Sequence, residues 1–288
     1  MGIAQPAGVV ALLALRAVVA AHAQPATLVE VDTGRRMDGA NGPEPVVQRA
    51  ILTMPAVPTD TALLFFRGNP GYMLARSVAD KRRNLGWIAR AEGVVLEAGI
   101  ALVQVDCPTD QWGDGPRPPA TNCLADYRSS PRHADDVRLL LAHLRERHGL
   151  SKAYILGHSI GTISSRWLAI HLKPDEIAGT IHSAAINALY PRGHLARVLG
   201  HLSMEFPRRS AGAPMLHVHH ENDACPVTPH AFVRGYAVDN LVTVRGGTAD
   251  GDPCGGTHLH SYLDREPHAM RAIVRWIRSG TVDAVAGD

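Results

Sequence analysis

The segment AYILGHSIGT, residues 153–162, places a short apolar run directly before a serine that lies between two glycines. Residues 153–157 have the composition of a buried strand. Residues 160–172 carry apolar side chains at helical spacing, which predicts a helix. The segment therefore predicts a strand, a sharp turn at Ser159 and a helix, the repeating unit of α/β folds.

Residues 157–161 match the Gly-x-Ser-x-Gly pattern of a nucleophile elbow. In such a turn the backbone is strained, and Gly157 and Gly161 remove side chains that would clash around Ser159 and His158. The alternative is a glycine-bounded turn without chemistry, because the pattern alone is weak. The strand before it and the helix after it favour a nucleophilic serine.

Strands and helices alternate along the rest of the chain. Continuous apolar strands between amphipathic helices predict an α/β fold with a mostly parallel sheet and helices on both faces. We expect one domain, residues 24–288, that begins with an arm or edge strand at 24–44 and carries a candidate lid at 187–210. Strands are predicted at 46–55, 61–68, 100–106, 153–157, 177–184, 213–220 and 240–247, and helices at 84–99, 130–149, 160–172, 228–237 and 265–280.

A nucleophilic serine needs an acid and a base, which follow it along the chain in this kind of fold. Asp223 comes just after the strand at 213–220 and is the preferred acid, with Glu221 as the alternative. Either could instead be an ordinary turn residue. His260, just before the last helix, is the preferred base and His258 the alternative, whereas His268 falls inside that helix.

Backbone N–H groups must also stabilise the oxyanion that forms during attack on a carbonyl group. The first is expected from Ile160, which follows the serine. The second is expected from the loop after the strand at 61–68, where Gly68 allows a close approach and Asn69 offers a further N–H. The alternative interpretation of this loop is a tight turn.

Charge and the N-terminal residues restrict the class of partner and the compartment. The 29 Lys and Arg balance 27 Asp and Glu, so no nucleic acid or anionic membrane is expected as partner. Residues 1–23 resemble a signal peptide that ends in Ala21-His22-Ala23, which predicts export to the periplasm or the medium rather than stable membrane insertion. Four cysteines fit an oxidising compartment; they allow three pairings, and free thiols are the alternative.

The motifs FFRGNPG, GHSIG, ENDACPVTP and HLHSYL together resemble the α/β-hydrolase superfamily, and most closely its secreted bacterial serine hydrolases. The resemblance implies an eight-stranded, mostly parallel sheet and serine-hydrolase chemistry without a cofactor. One departure concerns the oxyanion loop, which has Arg67 where the common signature has His. The resemblance also implies that Cys225 pairs with Cys254, and Cys107 with Cys123.

Hydrolysis of a small-molecule ester is the expected activity. Ser159 would attack, His260 would move the proton and Asp223 would orient the imidazole. Peptidase, thioesterase or lactonase activity would use the same residues. Two further hypotheses are a metal site built from His217, His219, His258 and His260, and a non-catalytic binding protein on the same fold. The oligomeric state stays open.

Overall fold

The computed structural model describes residues 25–83, 86–112, 123, 125–187 and 212–287. The predicted signal peptide at 1–23 and all but the first residue of the candidate lid at 187–210 lie outside the described residues.

A twisted sheet of nine strands organises the described part of the chain, in the order β1-β2-β4-β3-β5-β6-β7-β8-β9. Strand β2 runs antiparallel to β1 and β4, and all other neighbours are parallel. The mostly parallel sheet predicted from the sequence is therefore confirmed. The strands are β1 Thr27–Gly39, β2 Gly42–Thr53, β3 Thr61–Phe66, β4 Ala101–Val105, β5 Lys152–His158, β6 Gly179–Ser183, β7 Met215–His220, β8 Leu241–Val244 and β9 Val285–Ala286.

The two edges of the sheet differ from the expectation. The polar segment at 24–44 contains the long strand β1, which forms a hairpin with β2. The implied eight strands become nine because Val285 and Ala286 add a short parallel strand beside β8. Two residues are too few for a recognisable alternation of buried and exposed side chains, so the sequence could not predict β9.

Helices cover both faces of the sheet, as expected. Along β3, Leu63 and Phe65 contact one layer, whereas Leu64 and Phe66 contact the other, because successive side chains alternate between faces. Helices α1 and α6 pack on the first face, and α3 and α4 on the second. The helices among the described residues are α1 Trp87–Glu97, α2 Ala125–Arg128, α3 Pro131–His148, α4 Gly161–His171, α5 His230–Tyr236 and α6 Glu266–Ser279.

The ends of α3 show how local sequence sets the helix bounds. The Ser130 hydroxyl accepts a hydrogen bond from the N–H of His133, and Pro131 occupies the first turn, where no N–H is needed. Gly149 ends the helix at a φ of 70°, a left-handed conformation that glycine adopts without strain. These ends match the predicted bounds to within a residue.

Two disulfide bonds stabilise the loops at the carboxyl ends of the strands. Cys107 pairs with Cys123, and Cys225 with Cys254, as the family resemblance implied. The second bond connects the loop after β7 with the segment before α6. In the described part of the chain, no helix is both long enough and apolar enough to span a bilayer.

Candidate active site

Ser159 lies in the turn between β5 and α4. Its φ is 52°, in the left-handed region that residues with a side chain rarely adopt. A Cβ atom on Gly161 would overlap the carbonyl oxygen of Phe66, and one on Gly157 would overlap the backbone of Gly161. The two glycines therefore let strand, turn and neighbouring loop approach closely enough to hold the serine in this conformation.

Asp223 follows β7 and its carboxylate is completely buried. Oδ2 accepts hydrogen bonds from Nδ1 of His260 at 2.9 Å and from the Thr228 hydroxyl at 2.8 Å, and Oδ1 accepts one from the N–H of Cys225 at 3.0 Å. Burial raises the pKa of Asp223, but hydrogen bonds from His219 and His260 lower it by more. The net pKa lies well below the ordinary value, so the carboxylate is charged at neutral pH.

His260 extends from Asp223 towards the cleft that also contains Ser159. Because an ionised carboxylate only accepts hydrogen bonds, Nδ1 of His260 carries a proton and Nε2 has a free lone pair. Nε2 is buried and makes no hydrogen bond to any residue that the structure describes, the Ser159 hydroxyl included. Catalytic hydrogen bonds of this kind often form only once a substrate is bound.

The alternative acid and base lie elsewhere. Glu221 forms an ion pair with Arg245 at 3.0 Å, on the surface. His258 begins the short 3₁₀ turn Leu259–Ser261, and its side chain makes no hydrogen bond to Asp223. His268 lies in the first turns of α6. The structure thus brings His260, and neither of the other two imidazoles, to the Asp223 carboxylate.

The residues expected to hold an oxyanion surround Ser159. Ile160 precedes the first residue of α4, where backbone N–H groups have no partner within the helix. A Cβ atom on Gly68 would lie 3.1 Å from Cβ of Ser159, so the loop after β3 passes directly over the serine. Gly68 and Asn69 both line the cleft. Among hydrogen bonds between described residues, none uses the N–H of Ile160, Gly68 or Asn69.

Sequence reasoning missed the second imidazole that contacts Asp223. Nε2 of His219 donates to the carbonyl oxygen of Thr228 at 2.6 Å and lies 3.4 Å from Oδ2 of Asp223. The hydrogen bond between His219 and Thr228 therefore holds the loop after β7, residues 221–229 (the acid loop), against that strand. The available signal was the position of His219 on a strand that ends just before the acid, since alternate residues of a strand share a face.

His158 also takes a position that the motif did not reveal. Its ring lies 5.2 Å from that of His260 and 5.5 Å from that of Trp87, measured between centroids. Nδ1 contacts the Ser183 hydroxyl at 3.0 Å. Burial lowers the pKa of His158 well below its ordinary value, with a further contribution from His260. The neutral ring therefore packs behind the proposed base without adding a charge.

The histidines considered as metal ligands diverge in the structure. The ring of His217 lies 5.0 Å from that of His182, whereas His219 turns towards Asp223. Burial, together with the nearby positive charge of Arg166, lowers the pKa of His217 to about 3. Across the described ranges, no group of three or more His, Cys, Asp or Glu side chains is arranged to hold a metal ion.

The cleft above Ser159 contains about 560 Å³ of empty space, a volume that includes the open solvent at its mouth. The apolar part of its lining, called the apolar wall below, consists of Phe65, Met73, Trp87, Ile88 and Val105. Arg67 and Gln104 add polar groups to this wall. The cleft therefore combines an apolar lining with a few polar groups beside the serine, as ligand-binding clefts do.

Comparison with solved structures supports the fold. Est1E from Butyrivibrio proteoclasticus has a TM-score of 0.52 at 16% identity, covering 88% of this chain and 96% of that chain. Proline iminopeptidase from Mycobacterium smegmatis has a TM-score of 0.51 at 13% identity, covering 88% of this chain and 98% of that chain. LpqC, a poly(3-hydroxybutyrate) depolymerase from Bordetella parapertussis, has a TM-score of 0.50 at 16% identity, covering 91% of this chain and 92% of that chain. At these identities the likeness concerns the fold alone.

Comparison of the sequence with protein families gives a more specific result. Among curated proteins, no sequence matches the chain. The family Hydrolase_4, described as serine aminopeptidase, S33, matches residues 105–251, just over half of the chain, including the elbow and the acid loop. Together with the fold, this match shows that the chain belongs to the Hydrolase_4 family of α/β hydrolases.

Proposed function

We propose that this hydrolase cleaves carboxylic esters through Ser159, His260 and Asp223. The observation that carries the proposal is the hydrogen bond of 2.9 Å between Asp223 and His260, whose other nitrogen has a free lone pair in the cleft of Ser159. A serine between an elbow strand and helix, an imidazole and a buried carboxylate are the groups that acyl transfer requires.

The proposed reaction has two steps. The Ser159 hydroxyl oxygen attacks the ester carbonyl carbon while Nε2 of His260 takes the hydroxyl proton. The resulting oxyanion accepts hydrogen bonds from Ile160 and from the loop at Gly68 and Asn69. His260 then gives the proton to the departing alkoxide, which leaves as an alcohol. In the second step a water molecule gives a proton to Nε2 of His260 and attacks the acyl-enzyme. His260 returns that proton to the Ser159 oxygen as the acyl–oxygen bond breaks and the carboxylic acid leaves.

The family description makes an aminopeptidase the second candidate. An aminopeptidase must bind the positively charged α-amino group of its substrate, for which a carboxylate in the cleft is the expected partner. Among the described residues that line the cleft there is no Asp or Glu, and Arg67 adds a positive charge. These charges favour an ester over a peptide with a free amino terminus. Thioester and lactone hydrolysis use the same groups and are secondary candidates.

A direct test compares the wild-type enzyme with Ser159→Ala. We expect a fluorophosphonate probe to label the wild-type serine and p-nitrophenyl esters of short and medium acids to be hydrolysed. The variant should lose labelling, and kcat should fall about a millionfold, because the nucleophile is absent. Aminoacyl p-nitroanilides provide the comparison with a peptidase. Full esterase activity in the variant, or faster cleavage of the anilides, would overturn the proposal.

We also propose that the enzyme is exported before it acts. The two disulfide bonds support this, because such bonds persist mainly in oxidising compartments. The apolar leader at 1–23 is the second support. Recovery of the reduced, uncleaved chain from the cytoplasm alone would contradict export.

A further inference from the structure

Two polar side chains in the apolar wall of the cleft have no role in the reaction proposed above. Arg67 follows β3, and Gln104 lies in β4, level with Phe65 of β3. Both line the cleft of Ser159. Phe65, Met73 and the other apolar residues of this wall line the same cleft. The Arg67 charge and the Gln104 amide therefore lie among apolar side chains, where they contact less water than on an open surface.

The Arg67 guanidinium retains unused hydrogen-bond donors. One of its nitrogens, Nη1, donates to the carbonyl oxygen of Tyr72 at 3.1 Å. Its Nε is buried without a hydrogen-bond partner, whereas Nη2 is not completely buried and makes no hydrogen bond to a described residue. The donors left for a ligand are therefore on Nη2 and on the second hydrogen of Nη1. Burial lowers the pKa of Arg67 to about 10, partly offset by Asp106, so the group is still charged at neutral pH.

The Gln104 amide is also unpaired. The residue as a whole is only 3% exposed, and none of the hydrogen bonds between described residues uses its side chain. Its amide atoms are not completely buried, because they line the cleft. An amide that lines a cleft without a partner in the protein is free to form hydrogen bonds with water or with a bound ligand. Gln104 can donate one of its amide hydrogens to an acceptor that enters the cleft.

We propose that this part of the cleft binds a carboxylate carried by the substrate, an inference that rests on the esterase function proposed above. A planar guanidinium matches a carboxylate with two parallel hydrogen bonds, and the amide of Gln104 can supply a further one. Among the described residues lining the cleft, Arg67 is the one Lys or Arg. A single positive charge balances a monoanion such as a carboxylate better than a phosphate dianion.

Two pairs of esters test the proposal and show which side of the ester carries the charge. The first pair places a carboxylate or an isosteric isopropyl group on the acyl part: p-nitrophenyl hydrogen adipate and p-nitrophenyl 6-methylheptanoate. The second pair places it on the leaving group: 4-acetoxybenzoate and 4-isopropylphenyl acetate. Each kcat/KM is divided by the rate of hydrolysis by hydroxide, which corrects for intrinsic reactivity.

In one of the two pairs we expect the wild-type enzyme to prefer the charged ester about tenfold or more. Arg67→Gln and Gln104→Leu should each bring the ratio of charged to neutral ester close to one. Arg147→Gln removes the same charge from the exposed last turn of α3, at the opposite end of the sheet, and should keep the preference. Thermal melting checks that each variant is folded. If Arg67→Gln does not fold, the result for Gln104→Leu decides the test.

Equal or faster hydrolysis of the neutral ester in both pairs would overturn the carboxylate site. So would a preference that survives in both Arg67→Gln and Gln104→Leu. If neutral esters are hydrolysed and the fluorophosphonate labels Ser159, such a result leaves the esterase function intact. Failure of both labelling and hydrolysis would instead refute the esterase function itself.

Discussion

Asp223 shows how a single residue is prepared for its proposed role. Its carboxylate is buried, yet Thr228, the N–H of Cys225 and two imidazoles supply enough hydrogen bonds to keep it charged. A buried negative charge next to His260 fixes which ring nitrogen carries the proton. In the proposed mechanism the same charge would stabilise the imidazolium that forms when His260 takes the serine proton.

Asp223→Asn should therefore lower kcat for ester hydrolysis by about a thousandfold to ten-thousandfold, with a smaller change in KM. The amide can donate to Nδ1 of His260, which moves the ring proton to Nε2 and removes the lone pair that the serine needs. Steady-state kinetics with p-nitrophenyl acetate measures the effect. The matched replacement Asp239→Asn, in an exposed turn, should keep wild-type kinetics. A similar kcat for both variants would contradict the assigned role.

The sequence could predict this site only in part. Chain order and the end of β7 indicated Asp223, because the loops that follow parallel strands meet at one edge of the sheet. The choice between His258 and His260 depended on a 3₁₀ turn of three residues, which turns neighbouring side chains in different directions. The alternation along β7 could place His219 on one face of the strand, but its contact with Asp223 also depends on how the loop after the strand folds back, which that alternation does not determine.

At the scale of structural elements, the Cys225–Cys254 disulfide joins the two loops that carry Asp223 and His260, the proposed acid and base. The bond closes a segment with a sequence separation of 29. In the chain-entropy model such a closure stabilises the fold by about 3 to 4 kcal/mol. It also restricts the motion of the Asp223 loop relative to the wall of the cleft, which Cys254 lines.

The double replacement of Cys225 and Cys254 by serine should reduce the free energy of unfolding by about 3 to 4 kcal/mol. It should also reduce kcat by about tenfold to a hundredfold, because small displacements of catalytic groups are costly. Urea unfolding and ester kinetics measure the two effects. Replacing Cys107 and Cys123, whose separation is 16, should cost about 3 kcal/mol with a smaller loss of kcat. Equal losses of kcat in both variants would show that the first bond has no special effect on the site.

Elements were easier to predict from the sequence than contacts between them. Continuous apolar runs revealed the central strands because both faces of a parallel sheet are buried. The caps of α3, Ser130 and Gly149, set its ends directly. The long hairpin of β1 and β2 was less visible, because one face of this edge is exposed and its side chains are polar. The short strand β9 depends entirely on its pairing with β8.

At the scale of the whole molecule, four buried histidines tie the stability of the fold to pH. Burial lowers the pKa of His133, His158, His182 and His217 below the ordinary value of about 6.5. Below that pH these histidines bind protons in the unfolded chain but stay neutral in the folded chain. The free energy of unfolding therefore decreases as the pH falls. The lowered pKa of Asp223 acts in the same direction, but only below about pH 4.

Between pH 6.5 and pH 5.5 each such histidine removes about 1 kcal/mol of stability, so the four together remove about 4 kcal/mol. For a chain of this size, that decrease lowers the melting temperature by about 10 °C between pH 6.5 and pH 5.5. Calorimetry at constant ionic strength measures the slope, and His182→Gln should reduce it by about a quarter. His143→Gln, on the half-exposed surface of α3, should leave it unchanged. A melting temperature that stays constant or rises on acidification would contradict this prediction. It would mean that these imidazoles bind protons in the folded protein, so that water reaches the buried residues beneath Ser159.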